Sequence, residues 1–218
     1  MWSAKLVLES QPRWFRNFHL YERHSKRFQQ LQDLKDAQPL DPHRTIEVYF
    51  GDFNVRVQEL LNKRSIKEKE ATFCLLDQRT FQCHWSTVEA LAGYKKEERK
   101  IELFYFLASK WLARAVRGIK NEAIIEKWWG RADWRDLRGM SPGKCANEMV
   151  RRFKTELGYN SAKPWPIFRT GRPGVVMYYM IHASDHADAP LLMRRAYDQA
   201  VTADKTEQLV FPGMEPTS

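Results

Sequence analysis

The sequence predicts a single soluble α/β domain, Rossmann-like, with a mostly parallel sheet, a late antiparallel hairpin and a helical excursion. Three observations predict it. Short apolar runs alternate with stretches of helical period over the first 106 residues, the pattern of a parallel sheet wrapped by helices. The 218 residues are 43% hydrophobic and 29% charged, the balance of a packed globular chain and not of a disordered one. Acidic residues close three successive strand-like runs, at Glu22, Asp52 and Asp77. The predicted domain covers residues 1–205, with a helical insertion at 113–157 and a flexible tail at 206–218.

Asn17 to Tyr21 reads as a strand closed by Glu22, and Ser25 to Ala37 as a helix with Phe28, Leu31 and Leu34 on one face. Ile46 to Phe50 is the next strand, ending in Gly51-Asp52-Phe53-Asn54, and Val55 to Lys63 the helix after it. Ala71 to Leu76 and Lys100 to Phe106 follow as strands. Between them Ser86 and Glu89 have the spacing of a capping box, which predicts a helix start there. From Ala113 to Leu157 the pattern turns to tryptophan-rich amphipathic helices, one of them from Pro142 to Leu157 with Ser141 as its cap. Trp165 to Arg169 and Val175 to Ala183 read as a hairpin through Thr170-Gly171-Arg172-Pro173-Gly174, and Ala189 to Val201 as a last helix. Leu6 to Glu9 is expected to be helical or irregular, and the Glu22 strand to pack directly beside the Asp77 strand.

In an open parallel sheet, ligands sit beyond the carboxyl ends of the strands, where carboxylates can accept from ribose hydroxyls or an adenine amine. Glu22, Asp52 and Asp77 stand at such positions. Acidic residues after strands are also turn formers and helix caps, and both readings stand at this point. The first glycine of the chain is Gly51, so no glycine-rich loop precedes the Glu22 strand.

The order Phe18-His19-Leu20-Tyr21-Glu22, then Tyr49-Phe50-Gly51-Asp52-Phe53-Asn54, then Leu75-Leu76-Asp77 followed by Trp85-Ser86-Thr87-Val88-Glu89-Ala90-Leu91 resembles the three-Cys-motif partner protein family. The resemblance continues through Ile101 to Phe106 and through Met177 to Ser184. It implies a methyltransferase-type fold, S-adenosylmethionine as cofactor, and a partner that resembles radical iron-sulfur enzymes and carries a three-cysteine motif. It carries Glu22 to the ribose position, Asp52 to the adenine position and Asp77 to the catalytic edge, with Arg79 and His84 beside it. The family's amino-terminal strand and glycine loop have no counterpart here, and Gln78-Arg79-Thr80-Phe81 replaces its usual turn. The expectation is therefore that this chain alone does not hold the cofactor tightly, which leaves its own catalysis open.

There are 36 Lys and Arg against 27 Asp and Glu, a formal charge of +9, which favours a polyanionic partner such as nucleic acid. Cations cluster at Arg13, Arg16, Arg23, Lys26 and Arg27. A second cluster, Arg131, Arg135, Arg138, Lys144, Arg151, Arg152 and Lys154, is interleaved with Trp128, Trp129 and Trp134. Those tryptophans could stack on bases, but large aromatics are more often core, and core is the favoured reading. No apolar run approaches the roughly 20 residues that span a bilayer, so the expected location is cytoplasmic without a membrane anchor.

Cys74, Cys83 and Cys145 show no CxxC spacing and read as reduced thiols. His182, Asp185, His186 and Asp188 could form a metal cluster, but Asp185 is more simply a helix cap, and no metal site is assigned. The leading expectation is a methyltransferase-like accessory protein acting with a partner on nucleic acid. The alternatives are a winged-helix-like module, its wing formed by the late hairpin, or a structural subunit.

Overall fold

The computed structural model describes residues 3–169 and 172–209. The chain divides between Ser65 and Ile66 into two compact units.

The first unit begins with helix α1 (Ser3–Glu9), which turns Leu8 fully inward and leaves Leu6 exposed. The run Leu6-Val7-Leu8 is thus helical, as expected. Strands β1 (Asn17–Glu22) and β2 (Thr45–Phe50) pair in parallel, from Asn17 beside Thr45 to Glu22 beside Phe50. Parallel neighbours need a crossover, and α2 (Ser25–Asp36) supplies it. Phe28 meets Phe50 edge to face at 5.3 Å, and Leu31 is buried. Helix α3 (Phe53–Asn62) starts two residues earlier than its apolar period predicts, because Asp52 caps it by accepting from the Asn54 amide at 2.8 Å. The core consists of Leu8, Phe18, Leu31, Val57, Leu60 and Leu61. Arg44 ties α1 to the sheet: it donates to the Leu8 carbonyl at 2.6 Å and lies over the Phe18 ring.

In the second unit β3 (Phe73–Leu76) and β4 (Glu102–Leu107) are parallel, joined through α4 (Trp85–Ala92). Four helical segments follow: α5 (Ser109–Gly118), α6 (Glu122–Trp129), a 3-10 helix (Ala132–Gly139) and α7 (Pro142–Thr155). Ser141 caps α7 through the Lys144 amide, with Pro142 at the first helical position. The hairpin strands β5 (Ser161–Arg169) and β6 (Arg172–Ser184) complete a sheet of order β3-β4-β6-β5, and α8 (Ala189–Leu209) ends the described chain.

One face of this sheet carries Leu103, Tyr105, Leu107, Ile181 and Ala183, all buried. Phe153 of α7 packs on Tyr105 from that side at 5.6 Å. The other face carries Phe104, Phe106, Tyr178 and Met180, which are only half-buried.

Three expectations need correction. The sheet is not a single mostly parallel Rossmann-like sheet of methyltransferase type: β1 and β2 form a two-stranded parallel sheet, and the other four strands form a separate mixed one. The Glu22 strand therefore does not pair with the Asp77 strand; β1 bonds only to β2, and β3 only to β4. Apolar periodicity marks a strand and its faces but carries no information about which strand lies beside it. The capping box also fails, since α4 starts at Trp85 with His84 in the cap position, which places Ser86 and Glu89 inside the helix. The late hairpin and the helical excursion stand as expected. The predicted loose tail at 211–218 lies outside the described residues.

Candidate nucleic-acid interface

The acidic residues at the strand ends occupy two different settings. Glu22 and Asp52 close adjacent parallel strands in the first unit. Glu22 Oε1 accepts from the backbone amides of Arg23 and His24, each at 2.8 Å, and Asp52 Oδ1 accepts from the backbone amide and side chain of Asn54. Both carboxylates thus act as turn and helix caps. Between them Gly51 adopts φ 133°, a conformation open to glycine, and its amide donates to the Glu22 carbonyl at 3.0 Å.

Asp77, Arg79 and His84 lie in the second unit on one loop, between β3 and α4. Asp77 and Arg79 are exposed and His84 is half-buried. Buried Gln78 fixes the loop from below: its Nε2 donates to the Phe106 carbonyl at 3.3 Å, and its Oε1 accepts from the Cys83 amide at 3.0 Å. Phe81 packs on Trp128 at 5.1 Å. The hollow lined by Thr80, Phe81, Leu107 and Trp128 measures about 10 Å³, room for one water and not for a substrate.

The two basic clusters also differ. Trp128, Trp129 and Trp134 are at most 2% exposed, so they are core and offer no base a stacking surface. Most cations around them are already paired. Arg131 reaches Asp133 and Glu156, Arg135 and Arg138 share Glu122, Arg151 bonds Glu148, and Arg152 bonds Glu156. The local field is close to balanced.

Arg13-Trp14-Phe15-Arg16, on the segment leading into β1, has the opposite character. Trp14 is 80% and Phe15 43% exposed. Both arginines are exposed, and neither makes an ion pair among the described residues. Burial and then the nearby charge of Arg13 lower the pKa of Arg44, which places a third guanidinium in the same positive field. Sequence reasoning marked Arg13 and Arg16 as basic but missed Trp14 and Phe15. The available signal was their position after Pro12, outside any periodic segment and between two cations. Arg23, Lys26 and Arg27 stand at the far end of β1, also without ion pairs among the described residues.

The residues considered for metal are engaged elsewhere. His182 Nε2 lies 2.6 Å from Glu102 Oε1, and Ser184 Oγ donates to Glu102 Oε2 at 3.1 Å. Asp185 pairs with Lys100 at 3.1 Å and accepts from the Asn160 amide, so it does not cap α8; Asp188 directly precedes that helix. Burial pushes the Cys74 and Cys145 thiols up to about 12, which keeps them protonated and unreactive at neutral pH.

Burial by itself would raise the Glu102 carboxyl, but the hydrogen bond and charge of His182, with the Ser184 bond, hold it below its ordinary value. A depressed carboxyl adds stability above its unfolded pKa of about 4.3 and loses it as pH falls through the lower folded value. Glu102→Gln should therefore flatten the decline in stability below about pH 4.5. Urea midpoints measured from pH 6 down to pH 3 check this. An unchanged acid slope in the variant would show that the Glu102 contacts carry no net linkage.

Compared with family models, with curated proteins and with solved structures, the chain finds no match.

Proposed function

We propose that this protein binds single-stranded nucleic acid through the segment Arg13 to Arg16, as an accessory protein that positions a strand for a partner. The carrying observation is the exposed Trp14 and Phe15 between two arginines that have no ion pair among the described residues. Cations neutralise phosphates and release counterions, and aromatic faces accept stacked bases of any sequence. Interior strand β6, paired on both sides, favours this reading over a winged-helix module, because the hairpin offers no free wing.

A second reading keeps S-adenosylmethionine in view. It is favoured by Glu22 and Asp52 standing at the same end of adjacent parallel strands. Against it, both carboxylates already accept backbone amides. Calorimetry with the purified chain decides it: micromolar binding abolished by Glu22→Ala and Asp52→Ala would restore the cofactor, and no heat would remove it.

Anisotropy of a labelled single-stranded oligonucleotide at two salt concentrations tests the leading reading. Trp14→Ala should cost about 1–3 kcal/mol, the worth of one stacked base. Arg13→Glu with Arg16→Glu should weaken binding further and reduce the salt slope by about 2, one for each lost phosphate contact. Affinities equal to wild type in both variants would reject the segment as the interface.

A further inference from the structure

The second unit contains a concavity that the interface above does not use. It is a groove of about 340 Å³ between β5 and α8, walled by Lys163, Trp165, Pro166, Arg194, Tyr197 and Asp198. That volume lies within the range of small-molecule sites, roughly 300–1,000 Å³. We propose that it is a nucleotide site, with a phosphate held by Lys163 and Arg194 and a base lying against the Trp165–Tyr197 pair. The proposal rests on the nucleic-acid reading and assigns to it a second contact point of defined chemistry.

The groove is set before any ligand arrives. The rings of Trp165 and Tyr197 are 4.9 Å apart, and the Tyr197 hydroxyl donates to the Pro166 carbonyl at 2.5 Å. Trp165 is buried and forms the floor, whereas half-buried Tyr197 offers more of its ring. A floor fixed in this way spares a ligand the cost of ordering it.

The charges at the rim are available. The Lys163 ammonium lies 5.8 Å from the centre of the Trp165 ring and makes no ion pair among the described residues. Arg194 meets Asp198 at 3.6 Å, with both side chains more than 60% exposed, and so exposed a pair is worth little and yields to a phosphate. Asp198 repels the phosphate from its own wall and can accept from an exocyclic amine of the base. The two ends of a nucleotide are thereby distinguished.

Other occupants fit less well. A peptide strand would have to bond to the outer edge of β5, but Pro164 and Pro166 have no N–H to donate, and the Pro166 carbonyl is already taken by Tyr197. A bare inorganic anion would leave the aromatic floor unused. A phosphorylated base satisfies both halves of the groove, whether it arrives as a free mononucleotide or within a strand.

Calorimetry of the full chain with adenosine monophosphate and with an eight-residue oligoadenylate tests the proposal. Wild type, Lys163→Ala, Tyr197→Ala and the pair Arg13→Glu with Arg16→Glu are compared. Tyr197→Phe, which keeps the ring and loses only the hydroxyl bond, guards against a folding effect. The expected result is mononucleotide binding weakened at least tenfold by Lys163→Ala and Tyr197→Ala, little changed in Tyr197→Phe, and unchanged by the Arg13 and Arg16 reversals. Loss of mononucleotide affinity alone assigns the groove to a free nucleotide, and a parallel loss for the oligonucleotide assigns it to a strand. Wild type and both groove variants giving the same results overturn the proposal. If the Arg13 and Arg16 reversals still abolish oligonucleotide binding in that case, the interface reading survives without the groove.

Discussion

Arg152→Ala should destabilise the second unit by about 3 kcal/mol, near the lower end of the cost of breaking a buried ion pair. Arg152 is fully buried at 0% exposure. Its guanidinium lies 3.7 Å from the centre of the Trp85 ring and 4.4 Å from that of Trp129. It also donates to the Trp129 carbonyl at 2.5 Å and to both oxygens of Glu156. Truncation opens a space between two indoles and leaves that carbonyl without its donor. The cost stays at the lower end because Glu156 is partly exposed and keeps Arg131 at 2.7 Å. Arg152→Lys should recover little, since an ammonium cannot present a planar fork between two rings. Urea unfolding followed by tryptophan fluorescence measures both variants. A loss under 1 kcal/mol for Arg152→Ala would mean that the cation does not organise the tryptophan cluster.

Gly130→Ala should cost about the same, for a geometric reason. Gly130 ends α6 at φ 76°, and a methyl group there would stand 2.5 Å from the Trp85 ring. Left-handed backbone costs an L-residue roughly 1–2 kcal/mol, and forcing a methyl into a packed core costs about 1–3 kcal/mol. Trp85 has little room to yield, with Arg152 over its face and Phe153 5.9 Å away. Gly139→Ala is the internal control, because a methyl there meets open space. Equal melting temperatures for the two variants would show that Trp85 shifts freely.

Much of the local structure was legible in the chain. The strands at Asn17 and Thr45, the helix from Ser25 and the Ser141-Pro142 start of α7 lie where period and capping chemistry put them. The lateral order of the strands was not legible, because β1 and β3 each show a buried-strand composition that fits an interior or an edge equally well. The candidate site was read with its aromatic residues misplaced. Trp128, Trp129 and Trp134 stand in helical period, which signals burial, and they are buried. Trp14 and Phe15 stand in none, and aperiodic large aromatics between cations were the better sign of a displayed surface. The groove at β5 could not be seen, since Lys163 and Tyr197 are 34 residues apart and only the return of α8 over the hairpin joins them.

The prolines of β5 have a counterpart at the opposite border of the sheet. Strand β3 runs Phe73-Cys74-Leu75-Leu76, with neither proline nor charge to discourage a neighbour, and its only ladder partner is β4. The four-stranded sheet is therefore polar in its capacity to grow, closed at β5 and permissive at β3. Any misassembly of this unit at high concentration has one favoured direction, and a single lysine in place of Leu75 is the smallest change that would block it.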